Sequence, residues 1–243
     1  MGDSLRGREI VLAGGSGGLG SAVAALLASE GARLVVSYHA NRERAERNPP
    51  GAQAFQADLT VDADRKRLLD AAPQLYGLVV LAGDPARVPA GAQPGEVREI
   101  MLRSHDVNYL GPILTAREAA GRMKADGTPG AIVLMATMQA VALFPGSTAY
   151  AAPKAALVHT ARILAKECRG AANIRVNAVS PGVTAAGMAA ASIASGKYDR
   201  YLKEGVVSRF GRAEDVARAV RFFLEPDNYV TGQVLAVDGG LTL

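Results

Sequence analysis

Tyr150 and Lys154 stand four residues apart in Thr148-Ala-Tyr150-Ala-Ala-Pro-Lys154-Ala-Ala-Leu157. On a helix they share one face, about one turn apart. A free tyrosine hydroxyl has a pKa near ~10 and is a poor proton donor or acceptor at neutral pH. An ammonium within hydrogen-bonding range favours the phenolate and draws that pKa towards working pH. Thirteen residues before Tyr150, after the apolar run Ala131-Ile-Val-Leu-Met135, sits Thr137, whose hydroxyl can polarise a carbonyl while Tyr150 supplies the proton. Taken alone, Tyr-x-x-x-Lys equally describes an i,i+4 polar pair on a surface helix. Only six of 27 cationic side chains are lysine, so a lysine in a chain that usually chooses arginine hints at a specific need. The surrounding elements must decide.

The first of those elements is a strand, Arg8–Ala13, running into Gly14-Gly-Ser16-Gly-Gly18-Leu19-Gly20 and then a helix with Leu19, Val23, Leu26 and Leu27 on one face. Strand, glycine turn and helix N-terminus form a phosphate-binding arrangement: glycines let the backbone approach the ligand, and free helical N–H groups point at the anion. The next strand, Ala32–Ser37, ends where a dinucleotide fold tests the adenosine ribose. An acid there would bond the 2′-hydroxyl and repel a 2′-phosphate. The chain offers Ser37, Tyr38, His39, Asn41 and Arg42 instead, which favours NADP(H) over NAD(H), with Ser37 and Arg42 as the best phosphate contacts. Arg42 and Arg44 equally suit the solvated face of a short helix.

Further along, a third strand ends at Asp58-Leu59, where Asp58 can meet adenine or cap the helix Val61–Ala72. Gly77–Gly83 reads as a strand covered on both faces. Asn108 falls in the middle of a helix expected from Pro94 to Met123, an unfavourable position for asparagine unless it serves a buried hydrogen bond. The helix carrying Tyr150 contains Pro153, near its start if Ser147 or Thr148 is the N-cap, where a missing N–H costs little. Residues 183–205, rich in Ala, Ser and Gly, suit a lid. The β-α-β-α alternation implies a parallel, doubly wound α/β sheet of about seven strands with helices on both faces.

With 243 residues and 49% apolar content, the chain suits one domain, 1–243. The net charge of +4 is scattered, which suits an anionic small ligand and gives no case for a nucleic-acid surface. Cys168 is the only cysteine, which rules out an internal disulfide and fits a reducing compartment. Met1–Arg6 lacks the apolar run of a leader, and no segment approaches a membrane span. A cytoplasmic protein without a metal is expected.

Gly14-x-x-x-Gly18-x-Gly20, Asp58-Leu59, Ala82-Gly83, Asn108, Thr137, Tyr150-x-x-x-Lys154, Pro181-Gly182 and Tyr229-Val-Thr-Gly232…Val237-Asp-Gly-Gly240 occur in the order seen in short-chain dehydrogenases/reductases. Over essentially its whole length the chain resembles that family, most of all the 3-oxoacyl-carrier-protein reductases and related ketoreductases. The resemblance implies a Rossmann-like fold. Gly14, Ser16, Gly18, Leu19 and Gly20 would line the pyrophosphate, Asp58 and Leu59 the adenine, and Ala82, Gly83, Pro181, Gly182, Val183 and Thr184 the rest of the cofactor. Tyr150 would be the acid in reduction, Lys154 would bond the nicotinamide ribose and lower the tyrosine pKa, and Asn108 would hold a relay water. Thr137 would orient the carbonyl of a small-molecule or acyl-carrier substrate. Met138, Gln139, Phe144 and the 183–205 lid would line its pocket, whose small and apolar character points away from a charged metabolite. A homotetramer is implied.

The chain departs from the family where Thr137 replaces serine, Val80-Leu81 an Asn-Asn pair, Ala13 a threonine and Ala186 another. These losses thin the polar shell of the cofactor site. They leave open a second reading, a cofactor-binding scaffold without activity.

Overall fold

Short runs rich in Val, Ile, Leu and Ala form the central strands of a sheet of seven parallel strands, whose edge strand Gln53–Gln56 begins and ends in glutamine. The computed structural model describes residues 4–243; Met1–Asp3, part of the N-terminal stretch considered above, lie outside them. The strands are β1 (Glu9–Ala13), β2 (Arg33–Tyr38), β3 (Gln53–Gln56), β4 (Leu75–Val80), β5 (Gly130–Met135), β6 (Ile174–Pro181) and β7 (Val234–Val237). The helices are α1 (Gly18–Ser29), α2 (Arg42–Glu46), α3 (Asp62–Asp70), α4 (Pro94–His105), α5 (Gly111–Ala125), α6 (Thr148–Glu167), α7 (Ala190–Ala194), α8 (Asp199–Lys203) and α9 (Ala213–Leu224).

Strand order is β3-β2-β1-β4-β5-β6-β7, so the winding reverses between β1 and β4 and leaves a crevice at the carboxyl ends of those strands. Side chains alternate between two cores. Ile10 and Leu12 of β1 face Val23 and Leu27 of α1 and Val220 and Phe223 of α9. Val11 and Ala13 face the other layer, with Leu69 of α3, Met123 of α5 and Leu157 of α6. Burial on both faces is why the central strands read as continuous apolar runs.

The helix expected from Pro94 to Met123 is interrupted. Between α4 and α5, Asp106–Leu110 forms a π-helical turn, and Asn108 within it is fully buried. Its Oδ1 accepts from the Asp84 N–H at 3.1 Å, and its Nδ2 donates to the Asp84 carbonyl and the Ser104 hydroxyl, each at 2.9 Å. Ser104 in turn donates to the Ala149 carbonyl at 2.6 Å.

That last bond answers a defect in α6. The helix starts at Thr148 with Ser147 as N-cap, so Pro153 lies beyond the first turn, where its missing N–H matters more than the sequence suggests. In an unbroken ladder residue 153 would donate to Ala149. Ser104 supplies the absent donor from a neighbouring helix.

The 183–205 segment is less uniform than expected. Val183 and Thr184 are buried, and Thr184 forms an isolated parallel bridge with Gly211, so both are fixed just beyond the end of β6. Beyond them a 3-10 turn (Gly187–Ala189), α7 and α8 make a strap of short helices.

Ser104→Ala should destabilise the fold by about 1–3 kcal/mol, because a buried carbonyl and the Asn108 amide each lose a partner. The loss should shrink in a Pro153→Ala background, where a backbone N–H returns. Urea unfolding of the four proteins of that cycle measures the coupling.

Candidate active site

The glycine turn joins β1 to α1. Gly14 has φ +78°, and a Cβ there would lie 2.6 Å from the Ala82 nitrogen; one at Gly20 would lie 2.2 Å from the Gly15 carbonyl oxygen. Only glycine fits at either position. The N-cap of α1, Gly17, has no capping side chain, and no acid sits in the first turn, which leaves helix N–H groups and the positive end of the dipole for an anion. Gly18 and Ser16 lie at the outer side of this turn, and a Cβ on Gly18 would come within 2.7 Å of the Gly187 nitrogen, so the strap crosses over it. The cradle fits a dinucleotide pyrophosphate.

Two of the contacts expected for the ribose phosphate are otherwise engaged. Ser37 is buried, and its hydroxyl accepts from the Gly14 N–H at 2.8 Å. That bond braces the glycine turn. Arg42 is exposed and lies along α2 on Glu46 at 2.8 Å, an i,i+4 pair. Asp58 accepts from the Thr60 N–H at 2.9 Å and hydroxyl at 2.7 Å, and stands 3.5 Å from His39. It does not cap α3, whose N-cap is Val61. With Gln56 and Arg67, Asp58 lines a small cleft beside β2 and β3. Leu59 is core, and its carbonyl accepts from Arg65.

A cavity of about 460 Å³ gathers the others. Thr137, Tyr150 and Lys154 line it together with Leu19, Ala82, Gly83, Pro181, Gly182, Val183 and Thr184, and with Met138, Gln139 and Phe144. Thr137 ends the β5 loop as the cap of a 3-10 turn, and its hydroxyl stands against that of Tyr150. Lys154 is 2% exposed, and its Nζ donates to the Met135 carbonyl at 2.8 Å.

The electrostatics differ from the expectation that Lys154 lowers the tyrosine pKa. Burial pushes the Tyr150 hydroxyl up to about 12, and only the Thr137 hydroxyl draws it back. Burial likewise brings Lys154 down to about 8. The ammonium is turned to a backbone carbonyl, so desolvation governs both groups. Asn108 serves the buried hydrogen bonds that its mid-helix position implied. Its side-chain polar atoms are committed to Asp84 and Ser104, which makes it a clamp on the loop after β4.

Residues 13–242 match a family model described as enoyl-(acyl carrier protein) reductase. The chain belongs to the short-chain dehydrogenase/reductase family. It is an oxidoreductase. It is 34% identical to an NADPH-dependent aldehyde reductase-like protein, chloroplastic, of Arabidopsis thaliana, over 97% of this chain and 94% of that one. It is also 34% identical to a 3-oxoacyl-[acyl-carrier-protein] reductase of Rattus norvegicus, over 95% and 96%. Among solved structures, the NADPH-dependent 3-quinuclidinone reductase of Rhodotorula rubra superposes with a TM-score of 0.85 at 27% identity, covering 98% of this chain and 92% of that one.

Three features of this family member were not read from its sequence. The partner of Lys154 is a backbone carbonyl, which no residue type announces. Ser104 was legible only through Pro153, which had to leave some carbonyl without a donor. Arg87, Lys197 and Arg200 also line the cavity, Arg87 from the loop after β4, Lys197 from the turn before α8 and Arg200 from α8 itself.

Between pH about 8 and 10.5 the unfolded chain holds the Lys154 proton and the folded chain releases it. The unfolded state then binds more protons, so stability rises with pH across that window; below pH about 8 both states are charged and the full burial cost is felt. Lys154→Met should therefore raise stability at pH 7 by about 1–2 kcal/mol, net of the lost bond to Met135. The gain should fade towards pH 10. Urea titrations at pH 7 and 10 check both.

Proposed function

We propose that the protein is an NADP(H)-dependent reductase that converts a carbonyl, a 3-oxoacyl thioester or another ketone, to a secondary alcohol. The observation that supports it is the convergence of Thr137, Tyr150 and Lys154 on one cavity beside the β1–α1 glycine turn. The bound dinucleotide supplies the hydride. Thr137 donates to the carbonyl oxygen and fixes its direction. Tyr150 gives its proton to that oxygen as negative charge develops there. A phenol held at about 12 is fully protonated at neutral pH and ready to donate, but it releases its proton reluctantly. The buried Lys154 ammonium stabilises the phenolate left behind, and the low dielectric around it strengthens that attraction.

The preference for NADP(H) rests on the end of β2, where Tyr38, His39, Arg42 and Arg44 follow with no carboxylate among Tyr38–Arg42. His39, Arg42 and Arg44 are exposed there, and relatives named as NADPH-dependent agree. A homotetramer would cover Met101 and Leu102 on α4, Leu110 on the π-turn and Leu114 on α5, all exposed, and Leu235 on β7. The lone cysteine supports a cytoplasmic setting. The scaffold reading keeps one argument, the apolar Ala13, Val80 and Leu81 at the nucleotide side.

Tyr150→Phe should lower NADPH-dependent ketone reduction at least about 10³-fold while NADPH affinity changes little. Absorbance loss across a panel of ketones and acyl thioesters measures the first, and fluorescence titration the second. Tight NADPH binding without turnover by the unaltered protein would favour the scaffold.

A further inference from the structure

The cavity that holds Tyr150 carries an uneven charge. Its lining includes no aspartate or glutamate, yet three exposed cations, Arg87, Lys197 and Arg200, join the buried Lys154. Among the described residues, no carboxylate lies within salt-bridge distance of any of the three. Elsewhere exposed arginines commonly have such a partner, as in Arg42–Glu46, Arg47–Glu43 and Arg209–Asp215. Asp199 and Glu204, the acids on the same strap, are not part of the lining, and Glu204 acts on Arg200 only at longer range, as the least of the influences on it.

These cations are also held in place. The Arg200 guanidinium donates to the Tyr201 hydroxyl at 2.9 Å and lies 4.8 Å from the centre of that ring. Lys197 lies 5.6 Å from the centre of the Tyr198 ring, and Arg87 donates to the Met188 carbonyl of the strap at 3.3 Å. Aromatic faces hold a cation without neutralising it, so its charge stays available to a ligand and less freedom is lost on binding.

We propose that Lys197 and Arg200, with Arg87, recognise an anionic group on the carbonyl substrate, a carboxylate or a phosphate. This rests on the reductase reading of the same cavity and reverses the expectation of an uncharged substrate. The cofactor's pyrophosphate has its own cradle at the glycine turn, which leaves the strap cations for the other reactant. A guanidinium in this setting binds a planar carboxylate through two parallel N–H donors, which also sets the distance from that group to the reacting carbonyl.

The test compares 3-, 4- and 5-oxo carboxylates with their methyl esters as substrates of the full chain with NADPH. At one chain length or more, the acid should exceed its ester in kcat/KM by about tenfold, which corresponds to 1.4 kcal/mol. That preference should fall towards unity in Lys197→Ala/Arg200→Ala and shrink as salt rises. A small 3-oxoacyl phosphopantetheine thioester, run against its dephosphorylated form, separates a phosphate from a carboxylate as the source of the charge. Turnover of the uncharged forms with no preference for any charged one would overturn the inference and leave the reductase reading standing. So would a preference that survives the double substitution, or a loss that appears as a raised KM for NADPH. Silence with every acid, ester and thioester would overturn both.

Discussion

A lysine ammonium buried without a carboxylate depends on one backbone carbonyl, that of Met135 at the end of β5. The carbonyl is in position because β5 pairs with β4 on one side and β6 on the other, so its direction is set by the centre of the sheet. Such a charge is costly to fold, and a methionine of similar length would be cheaper. Under the proposed function its use would lie in what it does to a neighbour. In a site shielded from water, an ammonium acts on a nascent phenolate far more strongly than it would at the surface. The resting state shows the converse, with the phenol held high and the lysine held low by the same desolvation. In the proposed mechanism an attraction between the two groups would appear only when Tyr150 loses its proton, which is the sense in which an enzyme favours a transition state over a ground state.

Holding Tyr150 to that task requires α6 to be rigid close to its start, and Pro153 works against this by removing a donor one turn past the tyrosine. The repair passes through three elements. Ser104 on α4 bonds the orphaned Ala149 carbonyl, Asn108 in the π-turn bonds Ser104, and the same amide grips the backbone of Asp84 after β4. Asp84 completes the set, accepting from Arg103 at 2.9 Å and from the Ala86 N–H at 2.6 Å. Ala86 is thereby kept at φ +45°, a left-handed conformation that a non-glycine residue adopts only when its surroundings impose it. One satisfied polar network therefore sets both the catalytic helix and a wall of the cavity.

Much of this was legible in the chain because it follows from local rules. Continuous short apolar runs alternating with helices, a glycine turn between strand and helix, and Tyr-x-x-x-Lys after a strand are local signals, and they led to the parallel sheet and the cluster of Thr137, Tyr150 and Lys154. What escaped depends on distant partners. Ser37 looked like a phosphate ligand because it ends the strand expected over 32–37, but its hydroxyl accepts from the Gly14 N–H. Asn108 was marked by its poor helix propensity, which pointed to a buried hydrogen bond without telling which group received it. Arg42 had Glu46 one turn away, so its pairing was open to view, whereas the cations of the strap reach the cavity only through the path of the chain after β6.

The central claim is that a buried ammonium governs proton delivery by Tyr150. Its most direct test is the pH dependence of kcat/KM for ketone reduction at saturating NADPH, from pH 6 to 11. The account predicts a plateau through neutrality and a fall centred near pH 8, where Lys154 gives up its charge and the phenolate loses its support. A rate held undiminished to pH 10 would contradict it.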